Sequence, residues 1–170
     1  GSWGTALAYL LGSKGYQVTL WARSAQLMDQ MRLSRENATY LPGVVLPETI
    51  TITQSLQEAL GGTELVVMAP PCVGVRSVIR EALPFLSDTA VLLSATKGLE
   101  EEGARRPSEM IAESLGRDAI ERIAVLSGPN LAREIVRGIP STTVIACANE
   151  EVARRFQDVF STPSFRVYTN

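Results

Sequence analysis

The feature that most constrains this chain is an alternation of two periods. Short runs of continuous Val, Ile and Leu recur, separated by segments whose apolar residues return every three or four positions. Residues 17–21, 65–69, 91–94, 123–127 and 142–146 read as strands. Most of them do not alternate with polar residues, as a strand covered on both faces requires, so they predict a parallel sheet between helix layers. The intervening segments read as helices. Residues 5–13 carry Leu7, Leu10 and Leu11 on one side and stop near Gly15. Residues 55–60 open with the capping-box pattern Ser55-Leu56-Gln57-Glu58. Residues 75–83 put Val75, Val78, Ile79, Ala82 and Leu83 on one face and end before Pro84. Asn149 caps a helix whose stripe is Val152, Phe156, Val159 and Phe160. Residues 34–47 fit neither period and read as an irregular loop. The whole predicts an α/β, doubly wound, mainly parallel sheet with right-handed crossovers, in a single domain over 1–170.

Composition narrows the chemistry. At 170 residues the chain can bury a core without disulfides or a structural metal. Sixteen basic against eighteen acidic residues give a net charge of −2, with no basic excess to argue for nucleic acid. No apolar run reaches the roughly 18 residues that span a bilayer. There are no histidines, which removes histidine catalysis and histidine metal ligation. Cys72 and Cys147 form no C-x-x-C pair and read as reduced thiols of a cytoplasmic protein. A long-range bridge between them stays open. No G-x-x-x-x-G-K-[ST] is present, which disfavours a nucleoside triphosphatase.

Three motifs carry chemistry. The chain opens Gly1-Ser2-Trp3-Gly4-Thr5-Ala6, the second half of G-x-G-x-x-G, leading into a helix. Glycines there admit a pyrophosphate close to the backbone and let the helix pack on its strand, while the helix N-terminus offers free N–H groups. Alone the pattern is weak, since most instances are ordinary turns. About twenty positions on, where NAD-binding folds usually place an acid for the ribose, stands Ala22-Arg23-Ser24. A guanidinium there can fork onto a 2′-phosphate or stack on adenine; the competing reading is a solvated arginine at a strand end.

Lys97, in Ser94-Ala95-Thr96-Lys97-Gly98-Leu99-Glu100, follows a buried strand, at the end that lines the ligand crevice of an open α/β sheet. A compact cation there suits a phosphate or an oxyanion. The chain has fourteen arginines and two lysines, which favours a specific need for lysine over a loop residue in water. Ser127-Gly128-Pro129-Asn130-Leu131-Ala132-Arg133-Glu134 also follows a buried strand. Gly128 and Pro129 set a tight turn, and Asn130 is expected to cap a helix beginning near Leu131, bringing a second helix N-terminus to the crevice. Arg133 and Glu134 read as surface residues. Cys72 would need a base to act as a nucleophile, and no histidine exists to serve.

Together these motifs resemble the NAD(P)-dependent sn-glycerol-3-phosphate dehydrogenases, the bacterial biosynthetic type in particular. Besides the motifs above, the resemblance runs through Val18-Thr19-Leu20-Trp21-Ala22-Arg23, Arg35-Glu36-Asn37, Tyr40-Leu41-Pro42-Gly43 and Phe165-Arg166-Val167-Tyr168. It covers nearly all of the chain and only the family's N-terminal, Rossmann-like cofactor domain. The resemblance implies reversible reduction of dihydroxyacetone phosphate to sn-glycerol 3-phosphate with NADP or NAD as cofactor, in glycerophospholipid precursor synthesis. It gives Gly1, Ser2, Trp3, Gly4, Arg23, Tyr40 and Ala132 cofactor-binding roles. Lys97 would touch both cofactor and substrate, and Gly128 and Asn130 would line the substrate.

The resemblance also implies that the sheet's first strand and the helical C-terminal domain, which holds the proton-transferring lysine, are missing here, so that this fragment alone is inactive. A cytoplasmic homodimer in full-length form is expected, with no nucleic-acid or membrane partner. Two departures stand out. The family usually follows the strand at 65–69 with Pro, Ser and His, where this chain has Pro70-Pro71-Cys72-Val73, which puts cofactor contacts there in doubt. Asn130 replaces a Ser or Thr, a mild change because an amide still donates and accepts. The alternatives are the cofactor domain of another two-domain NAD(P) dehydrogenase, a non-catalytic dinucleotide sensor, and a degenerate paralogue.

Overall fold

The computed structural model describes residues 1–170, the side chain of Arg117 excepted. Helices α1 (Ser2–Ser13), α2 (Ala25–Ser34), α3 (Leu56–Leu60), α4 (Val75–Ala82), α5 (Pro107–Leu115), α6 (Ala132–Val136) and α7 (Glu150–Phe160) alternate with strands. The strands are β1 (Val18–Trp21), β2 (Ile50–Thr53), β3 (Leu65–Met68), β4 (Val91–Ser94), β5 (Ile123–Ser127), β6 (Ser141–Ala146) and β7 (Phe165–Thr169). The expected α/β sheet is present, and the five expected strands fall within a residue of their predicted bounds.

Burial explains why these runs are strands. Every residue of β4 is buried. Val91 and Leu93 face a core with Leu7, Leu10, Phe156, Phe160 and Phe165, contributed by α1, α7 and β7. Leu92, between them, faces a second core with Val75, Val78, Ile79, Met110 and Ile111 from α4 and α5. Successive side chains of a strand point to opposite faces, so two helix layers demand the continuous apolar run.

The strands form two sheets, ordered β2-β1 and β3-β4-β5-β6-β7. All pairings are parallel except β5 with β6, where Ser127 lies opposite Val144. A cleft of about 670 Å³ opens between the sheets. Val18 and Leu20 of β1, Val66 and Met68 of β3, and Leu7 and Leu11 of α1 line it. The order β2-β1, cleft, β3-β4-β5 matches a doubly wound sheet with one strand position open between β1 and β3.

Four elements went unpredicted, each for a local reason. β2 reads Ile-Thr-Ile-Thr and β7 reads Phe-Arg-Val-Tyr-Thr, so both alternate and neither shows a continuous apolar run. Both are edge strands. α2 buries only Met28 and Met31, and α5 only Pro107, Met110 and Ile111, too narrow a stripe to stand out. Local chemistry defines them instead: Ser24 accepts from the N–H of Leu27, and Glu109 reaches back to the N–H of Arg106. The segment 34–47 is irregular, as expected. Arg35 adopts a positive φ of 54° and its guanidinium donates to the carbonyls of Leu46, Pro47 and Ile50, which ties the segment's far end to β2. No helix is long and apolar enough to cross a membrane among the described residues.

Candidate functional site

The carboxyl ends of β3, β4 and β5 and the start of α1 meet at one rim, where open α/β sheets hold their ligands. α1 is twelve residues long, and its first N–H groups have no carbonyl partner within the helix. Gly4 lets that helix start close to β3: a Cβ at Gly4 would stand 3.4 Å from the Cβ of Ala69. The indole Nε1 of Trp3 donates to the carbonyl of Ala95 at 2.9 Å, which fastens α1 to the end of β4. The hydroxyl of Thr96 donates to the carbonyl of Pro70 at 3.0 Å, joining the ends of β4 and β3.

Lys97 stands at the centre of this arrangement. Its Nζ donates to the carbonyl of Asn130 at 2.7 Å and lies 5.1 Å from the centroid of the Trp3 ring. The ammonium is thus held between an aromatic face and a carbonyl, and it retains further N–H donors. Gly98, at φ 95°, turns the chain away immediately afterwards. Three residues past Lys97, Glu100 takes a two-pronged bond from Arg76 of α4, Nε at 2.5 Å and Nη2 at 3.0 Å. Arg76 also reaches Glu113 on α5 at 2.9 Å. The guanidinium bonds hold the Glu100 carboxyl below the ordinary carboxylate range.

The turn after β5 departs from expectation. Asn130 does not cap the following helix: it is 3% exposed and its Nδ2 donates to the carbonyl of Thr142 in β6 at 2.8 Å. Leu131 takes the N-cap position and offers no side-chain bond. α6 is only five residues long, so the expected second anion-binding helix terminus is not formed. The reversal of β6 is the cause, because it brings backbone carbonyls to this turn and the amide follows them. Oδ1 of Asn130 is buried without a partner. Gly128 lies against it: a Cβ there would meet Oδ1 at 2.7 Å, the Thr143 hydroxyl at 2.9 Å and the Thr142 carbonyl at 3.0 Å. Ala132 is the first residue of α6, which packs on α1.

Arg23 and Tyr40 stand apart from Lys97 but border the cleft between the sheets, as do Gly1 and Gly4. Ser2 begins α1. Arg23 is engaged: its Nη2 donates to the hydroxyl of Ser77 at 3.0 Å and lies 3.4 Å from Oε1 of Glu81. Tyr40 is half-exposed, and its N–H donates to Oδ1 of Asn37 at 3.2 Å.

Asn37 is a residue that sequence reasoning left without a role. It is 1% exposed, and its Nδ2 donates to the Thr5 hydroxyl at 2.8 Å, which in turn donates to the carbonyl of Gly1 at 3.0 Å. A chain of bonds therefore runs from the glycine turn to Tyr40. Its signal was an Asn inside a segment with no period, which sequence alone does not distinguish from a surface turn. Ser77 and Glu81 were missed because they occupy the polar face of α4.

Pro70 and Pro71 border the cleft, and Cys72 opens a short 3-10 turn. Both cysteines are free thiols, and burial pushes that of Cys147 up. No cluster of three metal-ligating side chains occurs among the described residues. The donor set suits a polyanion: the free N–H groups at the start of α1 share the cleft with the Arg23 guanidinium, and the Lys97 ammonium lies against Trp3 of the same helix.

Comparison with known proteins agrees with this geometry. Residues 1–153 match the family described as the NAD-dependent glycerol-3-phosphate dehydrogenase N-terminus. The chain is 49% identical over its whole length to a glycerol-3-phosphate dehydrogenase [NAD(P)+] of Moorella thermoacetica, and covers 50% of that protein. It is 45% identical to the protein of the same name from Syntrophomonas wolfei, again over the whole chain and 50% of the relative. A crystal structure of glycerol-3-phosphate dehydrogenase from Coxiella burnetii superposes with a TM-score of 0.92 at 32% identity, over the whole chain and 51% of that structure. The chain spans about half the length of the curated relatives it matches.

Proposed function

Because this chain belongs to the NAD-dependent glycerol-3-phosphate dehydrogenase N-terminal family, we propose that it is the dinucleotide-binding unit of an enzyme interconverting dihydroxyacetone phosphate and sn-glycerol 3-phosphate. When bound, a nicotinamide dinucleotide, NADP or NAD, supplies or takes up the hydride. The first N–H groups of α1, at Ser2, Trp3 and Gly4, hold the pyrophosphate. Arg23 and Tyr40 hold the adenosine end, and Ala132 borders the cofactor from α6. Gly128 keeps the floor of the substrate site thin, and Asn130 sets the position of Lys97 through its carbonyl.

The observation that carries the reading is the placement of Lys97, locked between the Trp3 ring and the Asn130 carbonyl at the rim where β4 and β5 end. Held there, the ammonium can direct its remaining donors to a substrate phosphate or carbonyl oxygen without reorganising. The proton donor to the developing alkoxide belongs to the other half of the enzyme. We place the full-length protein in the cytoplasm as a homodimer without nucleic-acid or membrane partners, a setting that free thiols fit.

The test follows NADPH and NADH absorbance in the full-length protein on adding dihydroxyacetone phosphate, with Lys97→Ala beside it. Rapid oxidation is expected, with kcat/KM lowered about a hundredfold or more by the substitution, as for loss of a preorganised electrostatic contact. The 170-residue chain alone should bind dinucleotide and not turn over. A folded full-length protein that binds NADPH yet oxidises none would replace the dehydrogenase with a sensor.

A further inference from the structure

We propose that Glu81 tunes the choice between the two dinucleotides, as the counter-anion that a 2′-phosphate must displace from Arg23. The inference rests on the dinucleotide reading above and adds a residue to it. The strand end that commonly carries a ribose-binding acid here reads Ala22-Arg23-Ser24, so no carboxylate is available from β1. The structure supplies one from another element. α4 buries Val75, Val78, Ile79 and Ala82, which fixes its opposite face. Ser77 and Glu81 lie one turn apart on that face and both meet the Arg23 guanidinium, at 3.0 Å and 3.4 Å. Arg23, Glu81, Trp21 and Gln54 line one open cleft at the edge of β1. The position of Arg23 is fixed from its backbone as well, since Nε2 of Gln54 donates to its carbonyl at 2.9 Å.

The strength of the pair decides what it does. Both side chains are about half exposed, at 55% and 53%, and an exposed pair of this kind holds weakly. A 2′-phosphate carries more charge and offers a planar guanidinium two oxygens, so it can take Arg23 from Glu81. It does so against a competitor and beside a carboxylate that repels it. NADH brings no 2′-phosphate and leaves the pair closed. Glu81 therefore weakens NADPH selectively and narrows the difference between the two cofactors.

The experiment titrates full-length protein with NADPH and with NADH by nicotinamide fluorescence, in wild type, Glu81→Gln, Arg23→Gln and the double variant. Glu81→Gln is expected to tighten NADPH about threefold to tenfold, the range of an exposed ion pair plus like-charge repulsion. NADH should change by less than about twofold, and in the Arg23→Gln background the competition part of the Glu81 effect should vanish, leaving only the smaller like-charge repulsion. An equal change for both cofactors, no change for NADPH, or an undiminished effect without Arg23 would overturn the role of Glu81 and leave the dinucleotide reading standing. Wild-type protein that binds neither cofactor would overturn both.

Discussion

At the scale of the residue, the site depends on how little room surrounds Gly128. A Cβ there would stand 2.7 Å from Oδ1 of Asn130 and 3.0 Å from the Thr142 carbonyl, closer than non-bonded atoms approach. Gly128→Ala must push Asn130 or the start of β6 aside, and Asn130 carries the carbonyl that holds Lys97. The substitution is expected to cost about 1–3 kcal/mol of stability, as overpacking usually does. Thermal denaturation read against wild type measures it, and an unchanged Tm would mean that the turn yields freely. Sequence reasoning singled out Gly128, Asn130 and Lys97 as candidates because motifs after buried strands are conspicuous. It misassigned what Asn130 bonds, because an Asn before a helix normally caps it and only the reversal of β6 offers a better acceptor.

At the scale of the element, charge holds the Lys97 loop to its neighbours. Arg76 on α4 binds Glu100 and Glu113, and Arg105 binds Glu113 at 2.5 Å, so α4, the loop and α5 share one network. Next to it, the Arg106 side chain and then its N–H hold the Glu109 carboxyl at about 2, far below the ordinary 4.5. A carboxylate whose folded pKa is depressed stabilises the fold above its unfolded value, and that contribution disappears as pH falls through the folded one. Stability should therefore decline between about pH 4.5 and 2 through Glu109, with Glu100 adding in the same direction. Denaturant unfolding across that window should show a shallower decline for Glu109→Gln; an identical profile would remove Glu109 from the account. Interior strands were legible in the sequence because two helix layers force a continuous apolar run. The edge strands β2 and β7 were not, because their alternating pattern matched no run of that kind.

At the scale of the molecule, the sheet is clad on both faces by helices, and the α1–α7 side rests on aromatic packing. Phe156 and Phe160 of α7 and Phe165 of β7 are at most 1% exposed, packed with Leu7 and Leu93. Phe156→Ala removes a fully buried ring and should cost about 3–5 kcal/mol. Equilibrium unfolding would show it, and a loss under about 1 kcal/mol would mean that the core collapses around the vacancy. The doubly wound order was readable from the sequence as a class. The antiparallel pairing of β5 with β6 was not, because pairing is a property that no single segment encodes.

The reversal of β6 has a consequence for how this protein can vary. What Asn130 binds at position 142 is a main-chain carbonyl, a group that every amino acid possesses, and the Thr142 side chain points to solvent. Position 142 can therefore drift among strand-forming residues while the turn beneath Lys97 keeps its shape. Position 130 is restricted instead to side chains that can donate to that carbonyl, as Asn, Ser and Thr can. Selection on the site is thereby concentrated on one side of the turn.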